Sequence, residues 1–412
     1  MRVGYFSPVP PERSGIADYS AELLPALRER FEVVVPRRGA KRLPRSADIA
    51  IYHIGNEPDV HSWIVEAMRR QPGIVVLHDF VLHHLIAGMT LGRGDGPAYL
   101  AAMQREAGVA GRLLAHGVID GVVPPLWESC PQDYPLVKEI LPFATALIVH
   151  SEFVADAVRA RGYRGQIYVV PHYASVVPAQ LPDPDLPVGV GLIVGCFGNI
   201  NPAKRIPQVL EAFAAFTQTH PDALLVIAGD QAPELRLDQW IDELGLGGNV
   251  VHRDYVDEPM LWALLRASDV CVSLRWPTMG ETSGIVLRAL SAGRPVIVSD
   301  VGAFQELPDE VVAKVPVDEY EVPTLTAMLT AIADDAALRA AMGTAAARLV
   351  ETENTVEVVA ERYAIAIEDT AGRDLVQMSV FEEVARSAGD VGIDSTDSQI
   401  AELARRLKEL GI

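Results

Sequence analysis

The stretch from Leu274 to Asp300 carries the side chains whose types and spacing most plainly suggest chemistry. A strand-like run ends at Leu274, a polar loop presents Glu281-Thr282-Ser283-Gly284, an apolar helical stretch runs to Gly293, and a buried strand follows. Backbone N–H groups near residues 282–284, at a helix start, can hold phosphate. Glu281 can accept hydrogen bonds from sugar hydroxyls. A carboxylate beside phosphate is repulsive unless it faces the sugar, so the pairing suggests a ligand carrying both. The competing role is capping alone, with Glu281 or Thr282 merely starting the helix. Upstream, Cys196-Phe197-Gly198-Asn199 leads through a turn to Lys204-Arg205-Ile206, two cations just before a helix. Lys204 as a point charge and Arg205 as a fork suit the two phosphates of a nucleoside diphosphate. A solvated basic pair is the alternative.

Other strand-to-helix turns add weaker signals. Ser14-Gly15 follows the first strand, and its N–H groups could receive a phosphate or sugar oxygen. The dinucleotide fingerprint Gly-x-Gly-x-x-Gly is absent there. His78, ending Val75-Val76-Leu77-His78-Asp79, stands where a strand would point it into a crevice to meet a hydroxyl; a structural histidine is the alternative. His78, Asp79 and His83 lack a metal-ligand pattern, and Asp183-Pro184-Asp185 falls in a proline-rich stretch, so neither a metal nor another cofactor is expected.

The elements that must position these turns alternate between strand-like and helical patterns, as in parallel βαβ units. Strands are expected near 2–7, 32–35, 49–53, 73–78, 146–150 and 167–170, with helices including 18–30 and 60–70; segment 88–130 reads as Gly-rich with helical stretches. Residues 178–187 hold four prolines and form a linker. A second series follows: strands at 191–197, 223–228, 250–252, 270–274 and 295–299, helices at 206–219, 260–266 and 285–292. Residues 324–370 read as helical throughout, and an amphipathic helix at 399–410 closes the chain. The fold class is α/β, two doubly wound Rossmann-like domains (1–180 and 188–350) facing an interdomain cleft, with a C-terminal helical tail at 373–412. Ligands of such domains bind beyond the carboxyl ends of the strands.

Net charge is −20 over 412 residues, and residues 181–412 carry all of it. That acidity disfavours nucleic acid as a partner. The three cysteines are scattered without metal spacing, no apolar run nears a membrane span, and the N-terminus lacks signal-peptide features, so a cytoplasmic setting is expected. Arg28, Arg30, Arg37, Arg38, Lys41, Arg42 and Arg45 form a basic stretch that suits either a solvated face or peripheral contact with the inner face of a membrane. A homo-oligomer is left open.

Together these motifs resemble glycosyltransferase family 4, the retaining, sugar-nucleotide-dependent group with the GT-B fold. The resemblance covers about residues 1–370. It rests on Ser14-Gly15-Ile16-Ala17, Leu77-His78-Asp79, Val149-His150-Ser151-Glu152, Val169-Val170-Pro171-His172, Phe197-Gly198 through Lys204, Ile227-Ala228-Gly229-Asp230, Asp254-Tyr255-Val256 and the Glu281 loop. It implies Gly15 near the sugar donor's diphosphate, His78 on the donor sugar, Lys204 neutralising the leaving diphosphate and Glu281 holding sugar hydroxyls. Thr282, Ser283 and Gly284 would lie beside the phosphates, and Gly229, Asp230 and Tyr255 would border the base and acceptor channel. It further implies a helix at 351–372 returning to the first domain. Two positions depart from the family pattern. Asn199 stands where an arginine is common, with Arg205 or Arg275 as substitute cations. Ala289, preceded by Arg288, stands where a second glutamate is common. The implied activity is transfer of a hexose, mannose from GDP-mannose before glucose from UDP-glucose, to a saccharide or lipid-linked acceptor, as a mannosyltransferase in polysaccharide biosynthesis would do. A sugar-nucleotide 2-epimerase of similar fold and a non-catalytic sugar-nucleotide-binding protein are the alternatives.

Overall fold

The computed structural model describes residues 1–12, 14–42, 47–233 and 235–390, with 374–390 as helix backbone only. Arg45, the segment 399–410 and most of the expected tail lie outside the residues whose side chains are described.

The first domain alternates β1 (Arg2–Phe6), α1 (Gly15–Arg28), β2 (Glu32–Val34), β3 (Ile49–Ile54), α2 (Pro58–Met68) and β4 (Gly73–Leu77). Then come α3 (His83–Thr90), α4 (Gly96–Ile119), α5 (Leu126–Ser129), β5 (Ala144–Val149), α6 (Glu152–Ala160) and β6 (Gln166–Val169). The second domain runs β7 (Ile193–Phe197), α7 (Ile206–Thr217), β8 (Leu224–Ala228), α8 (Leu237–Glu243), β9 (Val250–Arg253), α9 (Glu258–Ala267) and β10 (Val270–Ser273). It closes with α10 (Gly284–Ser291), β11 (Val296–Ser299), β12 (Val312–Val315), α11 (Glu321–Asp334) and α12 (Ala336–Glu353), and α13 (Val356–Asp390) follows.

Both sheets are parallel, in orders β2-β1-β3-β4-β5-β6 and β12-β11-β10-β7-β8-β9. All residues of β3 and β8 are buried, the unbroken apolar run required when helices cover both faces. β12, with the sequence VAKV, is an edge strand too short and mixed for a pattern to register. Each order reverses once, between β1 and β3 and between β7 and β10, which opens a crevice at those strand ends.

The helical stretch expected over 324–370 is broken twice. Asp335 accepts hydrogen bonds from Ala337 N and Leu338 N and so caps α12. Asn354 ties the next break to the first domain, accepting Ala174 N and donating Nδ2 to the His172 carbonyl, both at 2.7 Å. Beyond it, α13 lays Val359, Tyr363 and Ile367 into one core with Tyr5, Leu23 and Ile51 of the first domain. The proline-rich segment is irregular and held by Arg253, which donates to the Pro184 and Asp185 carbonyls at 2.7 Å.

Polar contacts join the domains around the crevice. Phe80 N and Val81 N both donate to the Met279 carbonyl, at 2.9 and 3.0 Å. Gln132 Nε2 donates to the Thr278 carbonyl at 2.9 Å. The Glu306 carboxylate accepts Glu152 N and Phe153 N at the start of α6, a favourable place for negative charge.

Candidate active site

The second-domain half is built by the turns after β7 and β10. Gly198 takes φ +91°, a left-handed conformation suited to glycine, and the chain swings round so that Lys204 Nζ donates to the Phe197 carbonyl at 2.8 Å. Lys204 is buried, and its ammonium is pulled down to about 8 by that burial and then by the nearby Arg275 cation. Arg275 reaches Glu281 Oε1 at 3.2 Å, and its own Nε is buried without a partner. Glu281 Oε2 accepts Met279 N at 2.7 Å and Thr278 Oγ1 at 3.2 Å. Glu281 therefore shapes its own loop and aims Arg275, with lone pairs left over for a ligand hydroxyl. At the start of α10, Ser283 Oγ accepts Val286 N, while Thr282 Oγ1 is buried with no partner. A buried orphan hydroxyl beside two cations and a helix N-terminus suits a phosphate group.

The first-domain half contains a row of imidazoles drawn from adjacent strands. His150 Nδ1 is 2.9 Å from the Val170 carbonyl, which can only accept, so Nδ1 carries the proton. Neutral His150 then accepts at Nε2 from His78 Nδ1 at 3.3 Å, and His78 accepts at Nε2 from His53 Nδ1 at 2.9 Å. Burial holds all three far toward the neutral form, His150 at about 4. Both ring nitrogens of His78 are thus taken up within the row, which leaves its ring no free nitrogen for a sugar hydroxyl. His53 carried no local motif, and His150 and His172 entered only within resemblance motifs, because the ends of four different strands bring these rings together. His83 is removed from it, bonded to the Tyr134 carbonyl and Tyr99 hydroxyl at 2.7 and 2.8 Å. Among the described residues, no three His, Cys, Asp or Glu side chains group so as to hold a metal ion.

Asp79 is half-buried next to this row. Burial, then the Glu281 charge, pushes its carboxyl up to about 7, against the pull of Asn56 N–H at 2.9 Å and of Arg275.

A cavity of about 480 Å³ separates the halves, and Gly15, His78, Glu281, Thr282, Gly284 and Arg288 line it. A Cβ on Gly15 would meet nothing within 4 Å, so the space over the start of α1 is open. Ser283 lines an adjoining cavity of about 280 Å³. Lys204 and Arg275 stand behind Glu281. Arg288 faces α1, where its charge counteracts the rise in the Asp18 and Glu22 carboxyls, and its Nε is buried and unpaired. The remaining expected residues lie off the cavity wall. Arg205 forks onto the buried Glu321 at the first turn of α11, Nε to Oε1 at 2.9 Å, so its charge is spent there and not beside a diphosphate. Asn199 and Asp230 are exposed on two turns that pack closely, since a Cβ on Gly229 would collide with the Gly198 carbonyl. Tyr255 is 71% exposed.

Two doubly wound domains with the cleft between their switch points define the GT-B architecture. Residues 189–349 match the family described as Glycosyl transferases group 1. The D-inositol 3-phosphate glycosyltransferase of Paenarthrobacter aurescens is 29% identical over 41% of this chain and 43% of its own. A GDP-mannose-dependent monoacylated phosphatidylinositol monomannoside mannosyltransferase of Corynebacterium glutamicum is 29% identical over 41% of this chain and 45% of its own. The chain spans less than half the length of the curated relatives it matches. Among solved structures, Anabaena Alr3699/HepE in complex with UDP and glucose superposes with a TM-score of 0.60. That match covers 90% of this chain and all of the other at 15% identity, a likeness of fold. Among the described residues, no helix is long and apolar enough to cross a membrane.

Proposed function

We propose that the protein transfers a hexose from a nucleoside diphosphate sugar to an acceptor hydroxyl, with retention at the anomeric carbon. One observation carries the reading: Lys204 and Arg275 stand beside the start of α10, where the Thr282 hydroxyl is buried and unpartnered at the cavity wall. As the anomeric C–O bond breaks, its electron pair leaves on the diphosphate. Fixed cations and N–H groups at that oxygen stabilise the transition state more than the ground state. The acceptor oxygen bonds to the anomeric carbon on the same face, and its proton passes to the departing phosphate oxygen. GDP-mannose is the first sugar donor to test, because the name of one relative specifies it; UDP-glucose follows.

Differential scanning fluorimetry with UDP, GDP and ADP, then donor hydrolysis, tests the reading. Lys204→Met should keep the fold and weaken the stabilising diphosphate roughly 10- to 100-fold, the loss of a charge-assisted contact. No stabilisation by any of the three would sink the reading.

A further inference from the structure

The first-domain wall of the cavity presents hydrogen-bond acceptors and no cation. His61, on α2, is 2% exposed, and its Nδ1 lies 3.2 Å from the His53 carbonyl, to which it must donate. Neutral His61 therefore turns a bare lone pair, Nε2, toward the cavity it lines. Asp79 brings its carboxyl to the same point: a Cβ on Gly55 would lie 2.9 Å from His61 Nε2 and 3.2 Å from Asp79 Oδ2. Asn56 spends Oδ1 on Leu85 N, which leaves Nδ2 for a ligand oxygen. Among the described residues lining the cavity, the one cation other than histidine is Arg288, on the opposite domain and engaged with the charges of α1 and Glu258.

Hydroxyl groups donate to such a wall, whereas an anionic phosphate or carboxylate meets the negative charge of the half-buried Asp79. We propose that Asn56, His61 and Asp79 form the acceptor subsite and that it takes an uncharged polyol, a neutral sugar or cyclitol, with the attacking hydroxyl bonded to Asp79. The inference rests on the transferase reading above and deepens it. Charge on the acceptor is selected against by this wall, while the charge on the sugar donor is met across the cleft.

The test measures nucleoside diphosphate release from the sugar donor in the presence of myo-inositol and methyl α-D-glucopyranoside. Their counterparts are myo-inositol 1-phosphate and glucose 6-phosphate. The neutral pair should stimulate release at least about ten-fold more than the esters, since an unpaired anion in a buried polar site is strongly rejected. Asp79→Asn should lower the stimulated rate by about ten-fold, the scale of one charge-assisted hydrogen bond, and raise the acceptor KM. Diphosphate affinity should stay unchanged in that variant, which also verifies its fold. His61→Gln should reproduce the effect on acceptor KM. Esters that match or exceed the neutral compounds, or no response to either polyol, would overturn the proposal. So would an Asp79→Asn loss of diphosphate affinity equal to the acceptor effect. Absence of both diphosphate binding and donor hydrolysis would instead sink the transferase reading, and this one with it.

Discussion

The buried imidazoles give the site an acid-sensitive side. His61 and His150 are pulled down to about 4 and His172 to about 3, in each case first by burial. A histidine whose folded pKa lies below its unfolded value binds more protons when unfolded, so stability falls as pH drops from about 6.5 toward 4. Each such group contributes up to about 1.4 kcal/mol per pH unit in that window. Raised carboxyls, Asp79 foremost, act in the opposite sense, because the folded state then holds the extra proton. Among the described residues six histidines are held low against four raised carboxyls, Asp18, Glu22, Asp79 and Glu106, so the urea midpoint should be lower at pH 5 than at pH 7.5. An equal midpoint would mean the row is hydrated and charged. Spacing along the chain made Lys204 and Glu281 legible, because each sits next to its own turn. Arg205 pairs with Glu321, 116 residues away, a partner that no local pattern reveals.

At the level of elements, the loop between β10 and α10 is shaped by both domains. Its Met279 carbonyl takes two N–H groups from the first domain, and Gly280 adopts φ +80° with Phe80 Cβ only 2.6 Å from where its own Cβ would be. Gly280→Ala combines left-handed strain with that collision, at a cost of roughly 1–3 kcal/mol for the backbone conformation alone. The loop would have to withdraw from Phe80 and Val81, taking Glu281 with it. Donor turnover should drop at least about ten-fold, as misplacing a reacting geometry by a small distance does. Thermal unfolding checks the first effect and product release the second. Wild-type turnover in a folded Gly280→Ala protein would show that the loop does not set the geometry of Glu281.

For the whole molecule, α13 makes the chain's later part a structural component of the first domain. Tyr363 is fully buried, and its hydroxyl bonds Tyr19 at 3.0 Å, 344 residues away in sequence. Tyr363→Ala removes a large core side chain and leaves the Tyr19 hydroxyl without that partner, which should cost roughly 3–5 kcal/mol. The loss should appear in urea unfolding followed by first-domain signals. A change of only about 0.5 kcal/mol, the range of ordinary surface substitutions, would place α13 outside the core.

Periodicity and turn chemistry are local properties, and they were enough to mark the alternating strands, the proline-rich break, the glycine turn before Lys204 and the helix start behind Glu281. Each of those features is specified by neighbours within about one element, so the chain alone determined it. The imidazole row, the pairing of Arg205 with Glu321 and the docking of Met279 on Phe80 and Val81 depend on contacts between segments far apart in sequence. Hydrogen bonds in those contacts set the tautomer of His78 and consume the Arg205 charge, while desolvation and the Glu281 charge bring Asp79 to about 7. Only the tertiary structure could decide them, because desolvation and partner distance are properties of the packed molecule and not of any residue type.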